Sequence, residues 1–172
     1  MSFKQALFLI GICLFILTLD ISLKAYSYYC IPPIWKAPTI YPYGGIPVFY
    51  DFLGVDFSIN HVVNKGAAWG VLSSYQNYLL IVRIMIILGM VGYLYVTKIA
   101  YIKRFALSLI VTGAIGNVID YFVYGHVIDM LYFKFWGYSY PVFNIADSSI
   151  FLGIVVLFFS SMKEKKQSKG KP

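Results

Sequence analysis

Apolar positions gather in four long runs, at residues 6–25, 78–96, 105–124 and 142–162, separated by polar or proline-rich segments. A helix crossing the hydrocarbon core of a bilayer needs about 20 mostly apolar residues, so each run predicts one transmembrane helix. The first run continues through Ile21 to Ala25 with no small-residue cleavage motif closing it, and therefore reads as a retained anchor and not as a cleaved leader. The link between the second and third runs is short, which predicts an antiparallel hairpin.

Charge gives the helices a direction. Of the 14 basic residues, nine sit in three places: Lys4, the link with Lys98, Lys103 and Arg104, and the tail with Lys163, Lys165, Lys166, Lys169 and Lys171. Excess Lys and Arg mark cytoplasmic segments, so both termini and the link are expected in the cytoplasm, as an even helix count requires. Composition agrees with a membrane chain, since 60% of the 172 residues are apolar, 12% are charged, and the mean hydropathy is +0.75. A soluble domain of this size has too little interior for that content. The net charge of +7 follows from topology, so nucleic acid is not expected as a partner.

The remaining large segment, about residues 26–77, falls on the outer side and changes character halfway. Five of the seven prolines, Pro32, Pro33, Pro38, Pro42 and Pro47, lie in its first half among Tyr28, Tyr29, Trp35, Tyr41 and Tyr43. Proline opposes regular structure and these aromatics favour the membrane boundary, so an irregular segment lying on the bilayer is expected. In the second half Val55, Phe57 and Ile59 alternate with Asp56, Ser58 and Asn60, which predicts a half-buried strand. Asn64-Lys65-Gly66 then predicts a turn, with Trp69 just beyond it. The expected fold is an all-α integral membrane protein, one membrane domain over 1–172, with a small β platform and an irregular Pro-rich loop outside and a frayed tail at 163–172.

With this topology the polar residues converge at the outer boundary. Asp20 and Lys24 fall at the end of the first helix, Asn64 in the loop, Asn117 and Asp120 near the outer end of the third helix, Asp129 after it, and Asn144 and Asp147 at the start of the fourth. An ionisable group near the bilayer centre costs at least about 2.5 kcal/mol, so such residues are paired or functional. Asp20 and Lys24, spaced i, i+4, are expected to form a local ion pair that ends the helix. Arg83 is expected to snorkel or to pair inside the bundle, and Gly113 and Gly116 to let helices approach. Cys13 and Cys30 form no disulfide framework. No metal-ligand spacing surrounds His61 or His126, and Ser148 and Ser149 lack a nucleophile motif.

Asp129 and Asp147 have no adjacent basic partner in the sequence. Two carboxylates sharing one low-dielectric site cannot both ionise easily, so the pair holds one proton. Such a pair suits peptide hydrolysis, with one carboxylate activating water and the other polarising the carbonyl. A proton-coupled transporter could use the same pair, and on chemistry alone both stand.

Four blocks at these residues carry a resemblance: Asp20-Ile-Ser-Leu-Lys24, Asn64-Lys-Gly-Ala-Ala-Trp-Gly70, Gly113-Ala-Ile-Gly-Asn-Val-Ile-Asp120 with Gly125-His-Val-Ile-Asp129, and Phe143-Asn-Ile-Ala-Asp147. In this order they resemble the lipoprotein signal peptidases, the bacterial type II signal peptidase family. The resemblance implies an aspartic endopeptidase that removes signal peptides from diacylglyceryl-modified prolipoproteins, cutting just before the lipidated cysteine. It implies Asp129 and Asp147 as the catalytic pair, and Asn64, Asn117, Asp120 and Asn144 as residues that shape the site or meet substrate; Asp20, Lys24 and Trp69 are grouped with them. No metal or organic cofactor is implied. Lipid-modified prolipoprotein and membrane lipids are the implied partners, and the outer face of the bacterial cytoplasmic membrane the implied place. The chain departs from the family pattern at Tyr121, where Arg is usual, at Thr112, often Gly, and in a longer stretch before Pro47. The rival is a small proton-coupled transporter or lipid-binding scaffold, which should carry polar residues through the full bundle. Residues 84–96 and 151–159 are almost wholly apolar, which favours a one-sided site.

Overall fold

The computed structural model describes residues 1–36, 44–66 and 73–169. Helix α1 spans Phe3–Cys30, α2 Gln76–Val96, α3 Tyr101–Tyr124 and α4 Ile145–Lys169, and these four helices are long and apolar enough to cross a membrane. Strands β1 (Ile46–Phe52), β2 (Val55–Asn64), β3 (Val127–Phe135) and β4 (Tyr138–Ser139) form one antiparallel sheet in the order β1-β2-β3-β4. The four-helix fold with a small β platform agrees with the sequence expectation. Two helices run further than their apolar runs. Helix α1 opens on a capping box between Ser2 and Gln5 and stops where Pro32 and Pro33 forbid another turn. Helix α4 continues to Lys169 through the tail expected to fray, because Lys, Glu and Gln are good helix formers. Within that extension Lys103 of α3 pairs with Glu164.

The sheet sits at one end of the bundle, on the C-terminal end of α1. There Ser27 Oγ donates to the Asn60 carbonyl, and His61 Nδ1 donates to the Ile31 carbonyl over 2.9 Å. The alternation in β2 is present with an inverted sense: Asp56, Ser58 and Asn60 are buried, while Val55, Phe57 and Ile59 are only half-buried. Bonds meet most of the inward polar face, Asp56 accepting from Asp51 N at 2.8 Å and Asn60 Nδ2 donating to Ser58 Oγ at 3.0 Å, while Asn60 Oδ1 has no partner among the described residues. The apolar face instead builds a ladder of rings, Phe57 stacking on Phe133 with centroids 4.4 Å apart and Phe133 on Phe135 at 5.8 Å. Against hydrocarbon an outward apolar face does not pay the cost of exposure to water.

Strand β1 begins at Ile46, so Pro47 lies in an edge strand, where its missing N–H is tolerated, and not in irregular chain. Two-residue loops, Leu53-Gly54 and Trp136-Gly137, join β1 to β2 and β3 to β4 with positive φ throughout, the twist that suits a tight hairpin. Of the expected irregular segment, Ile34–Lys36 forms a 3-10 turn. Pro38, Tyr41, Pro42 and Tyr43 lie outside the described residues, as does Trp69.

Helices α3 and α4 pack closest. A Cβ on Gly113 would lie 2.2 Å from the Ala146 carbonyl oxygen, and one on Gly153 2.6 Å from that of Ala106. A Cβ on Gly116 would lie 2.8 Å from Asp20 Oδ2, so Gly116 admits α1 to the same crossing. Helix α2 buries no residue and lies against α3 on the rim.

Candidate active site

Only two residues separate the end of α3 from the start of β3, because Gly125 adopts a left-handed conformation (φ 77°) that closes the helix and turns the chain back. Asp129 is thereby set in β3 opposite Val62 of β2 and is 4% exposed. Phe143 then pairs with Leu131, bonding in both directions at 2.8 and 3.1 Å. That pairing delivers Asn144 to the side of β3 and starts α4 there. Asn144 caps the helix, its Oδ1 accepting from Asp147 N at 2.8 Å, which sets Asp147 in the first turn.

Three asparagine amides hold the two carboxylates. Asn144 Nδ2 donates to Asp129 Oδ1 at 2.8 Å, and Asn64 Nδ2 donates to Asp129 Oδ2 at 3.0 Å. Asn117 Nδ2 donates to Asp147 Oδ1 at 2.8 Å. Both acids line one cleft of about 390 Å³ with Asn64, Asn117, Arg83 and Phe143. Burial, followed by the charge of Asp147, pushes the Asp129 carboxyl from the ordinary carboxylate range up to about 7, against the opposing bonds from Asn64 and Asn144.

Behind this pair lies a second polar cluster. Lys24 Nζ is 2.6 Å from Asp20 Oδ2, 2.8 Å from Asp120 Oδ2 and 3.0 Å from Asn117 Oδ1. Lys24 is 0% exposed and both acids 1%. The expected Asp20–Lys24 pair therefore exists, but it does not end its helix: α1 runs on to Cys30, and the pair joins three helices in the core. Asp20 Oδ1 also accepts from Ala146 N at 2.8 Å, satisfying an otherwise free amide in the first turn of α4. Asp120 Oδ2 accepts from Ile128 N at 3.2 Å and so holds the start of β3.

Eight of the residues singled out in the sequence thus belong to one network: Asp20, Lys24, Asn64, Asn117, Asp120, Asp129, Asn144 and Asp147. The Asn64-Lys65-Gly66 turn is present, with Gly66 N donating to Asn64 Oδ1 at 3.0 Å, which leaves the Asn64 nitrogen to face Asp129. Arg83 forms no ion pair among the described residues; it donates to the Gly66 carbonyl at 2.8 Å and lines the cleft. The Tyr121 hydroxyl donates to Asn77 Oδ1 at 2.6 Å, tying α3 to α2. Ser148 and Ser149 donate to backbone carbonyls. Among the described residues no three His, Cys, Asp or Glu side chains gather as a metal-holding group.

A feature not anticipated from the sequence is an apolar groove of about 600 Å³ that reaches Asp147 from the sheet side, walled by Phe133, Phe135, Tyr140, Phe143, Phe151 and Leu152. Its signal was present in the alternating aromatics of 133–143, though their convergence depends on the hairpin at Trp136-Gly137.

The family model described as signal peptidase (SPase) II matches residues 12–163, a stretch that contains the whole network. A lipoprotein signal peptidase of Chlamydia pneumoniae is 41% identical over 117 residues, covering 67% of this chain and 70% of that protein. One from Staphylococcus aureus is 36% identical over 110 residues, covering 63% and 67%. Two solved structures described as bacterial membrane enzymes share the fold. One gives a TM-score of 0.76 at 27% identity over 95% of this chain and 93% of that one, the other 0.71 at 28% over 91% and 93%. With 152 of its 172 residues under the family model and four apolar helices in place, the chain is a multi-pass membrane protein and belongs to the signal peptidase II family.

Proposed function

We propose that this peptidase is an aspartic endopeptidase that removes signal peptides from diacylglyceryl-modified prolipoproteins, cutting just before the lipidated cysteine, with Asp129 and Asp147 as the catalytic pair. The observation that carries it is Asn144, which donates to Asp129 and accepts from the backbone of Asp147, so that a buried and a half-buried carboxylate from different elements face one cleft. Asp129, with its pKa near 7, is the member suited to hold the shared proton at neutral pH. Asp147, steadied through Oδ1 by Asn117, is placed to take a proton from water. The hydroxide adds to the scissile carbonyl carbon as the Asp129 proton passes to the carbonyl oxygen, and the C–N bond then breaks as Asp147 hands the proton it took from water to the departing amine nitrogen while Asp129 recovers its proton from the adduct. Asn64, Asn117, Asp120, Asn144, Asp20 and Lys24 shape the site.

The aromatic groove beside Asp147 supports an apolar substrate. The proposed location is the bacterial cytoplasmic membrane; the basic residues at one end of the helices and the sheet at the other support an orientation with both termini in the cytoplasm and the cleft at the outer face. Membership of a peptidase family and the apolar inner halves of α2 and α4 favour hydrolysis over the transporter reading. Incubating the purified protein with a lipidated precursor peptide and weighing the products tests the assignment. A fragment beginning with diacylglyceryl-cysteine is expected; a cut elsewhere, or none, would overturn it.

A further inference from the structure

We propose that Lys24 is a positioning residue for the reaction: its ammonium fixes which way the Asn117 amide faces, so that the amide nitrogen is the end presented to Asp147. The inference rests on reading Asp129 and Asp147 as the catalytic pair.

An asparagine amide can be turned end for end with little change of shape, and only its neighbours decide the matter. Asn117 Oδ1 faces two donors, Lys24 Nζ at 3.0 Å and Asn144 Nδ2 at 3.1 Å, while Asn117 Nδ2 faces the carboxylate oxygen of Asp147 at 2.8 Å. Turning the amide over would set N–H against the ammonium and a carbonyl lone pair against the carboxylate, reversing all three contacts. Asn144 is itself fixed, because its oxygen accepts from the Asp147 backbone N–H, which can only donate. Lys24 supplies the charged anchor, and charge-assisted bonds are the stronger ones.

The ammonium is held in turn. It has three N–H groups and three oxygens within 3.0 Å, one each from Asp20, Asp120 and Asn117. One acid neutralises a lysine, and Lys24 already has two. The third contact reaches the reacting carboxylate across a single amide, and a purely structural ion pair does not account for it.

Replacing Lys24 alone leaves Asp20 and Asp120 buried without their cation, which is strongly destabilising. The test therefore compares two neutral triple variants, Asp20→Asn/Lys24→Met/Asp120→Asn and Asp20→Asn/Lys24→Gln/Asp120→Asn, against wild type. Position 24 offers Asn117 no donor in the first and an uncharged N–H in the second. The Met variant is expected to lose roughly 10–100-fold in kcat, the size of one charge-assisted bond, with KM within about twofold. The Gln variant should recover at least about fivefold of that loss. Equal kcat in the two, or a Met variant within about threefold of wild type, would overturn the inference.

A readout in the unaltered cluster covers the case in which the triple variants do not fold. The side-chain 15N resonance of Asn117 should move on Asp147→Asn if its nitrogen faces residue 147, and an unmoved resonance would overturn the inference. Asp129→Asn and Asp147→Asn are assayed in parallel. Activity surviving there removes the catalytic pair itself, whereas inactive Asp variants beside a fully active Met variant remove only the role of Lys24.

Discussion

The side-chain nitrogen of Asn144 lies 2.8 Å from Oδ1 of Asp129, joining the cap of α4 to the middle of β3. Through this bond the last turn before one helix fixes the position of an acid on a strand, and the acid is held in a place where its charge is unfavourable. Burial and the neighbouring Asp147 raise Asp129 to about 7, so the site carries strain that the surrounding bonds only partly offset.

That strain has a pH dependence with a definite sign. The folded pKa of Asp129 lies above the ordinary carboxylate value, so the folded state binds more protons than the unfolded one between about pH 4 and 7, and stability falls as pH rises through that window. Asp129→Asn removes the titration. Thermal unfolding in detergent is expected to show the variant more stable than wild type by on the order of 3 kcal/mol at pH 8 and by less at pH 5. A gain that did not grow between pH 5 and pH 8 would contradict the assignment of a raised pKa.

Recognition is expected to depend chiefly on the lipid of the substrate. Each acyl CH₂ kept in hydrocarbon contributes about 0.8 kcal/mol to partitioning, so two chains hold the scissile bond at the membrane boundary. The apolar groove ends on Asp147. Removing the diacylglyceryl group from a precursor should lower kcat/KM by 100-fold or more, on the order of the partitioning of a few methylenes. Equal kcat/KM with and without it would show that the peptide alone is recognised.

Orientation is open to direct measurement. Reporters fused after Pro172 and inserted beside Lys98 are expected to report cytoplasm, and one near Pro38 the outer side, because the basic residues cluster at the two termini and the link between α2 and α3. A C-terminus on the outer side would place the cleft on the wrong face of the membrane for the proposed substrate.

The parts of the fold that were legible in the sequence are those the bilayer enforces. Twenty apolar residues in a row admit little but a helix, and the four runs are four helices. Pro32 and Pro33 mark where α1 stops, though the apolar run ends earlier at Ala25 and masks that signal. Strand β3 was not legible, since Val127, Ile128, Met130 and Leu131 put apolar side chains on both faces and leave no alternation. Its hairpin turn is Trp136-Gly137, where Asn-Gly would have announced itself. At the site, the i, i+4 spacing of Asp20 and Lys24 revealed their pairing. Their contacts with Asn117, Asp120 and Ala146 lie about a hundred residues away along the chain, and only packing at Gly113 and Gly116 creates them.

Whether Asp129 and Asp147 together perform the hydrolysis is decided by the rate at which purified Asp129→Asn and Asp147→Asn cleave a lipidated precursor, each shown to be folded by its thermal transition. An amide can neither deprotonate water nor return a proton to the leaving amine. Each variant is expected to lose at least about 10³-fold in kcat while keeping its fold. A rate within a few-fold of wild type in either variant would contradict the account.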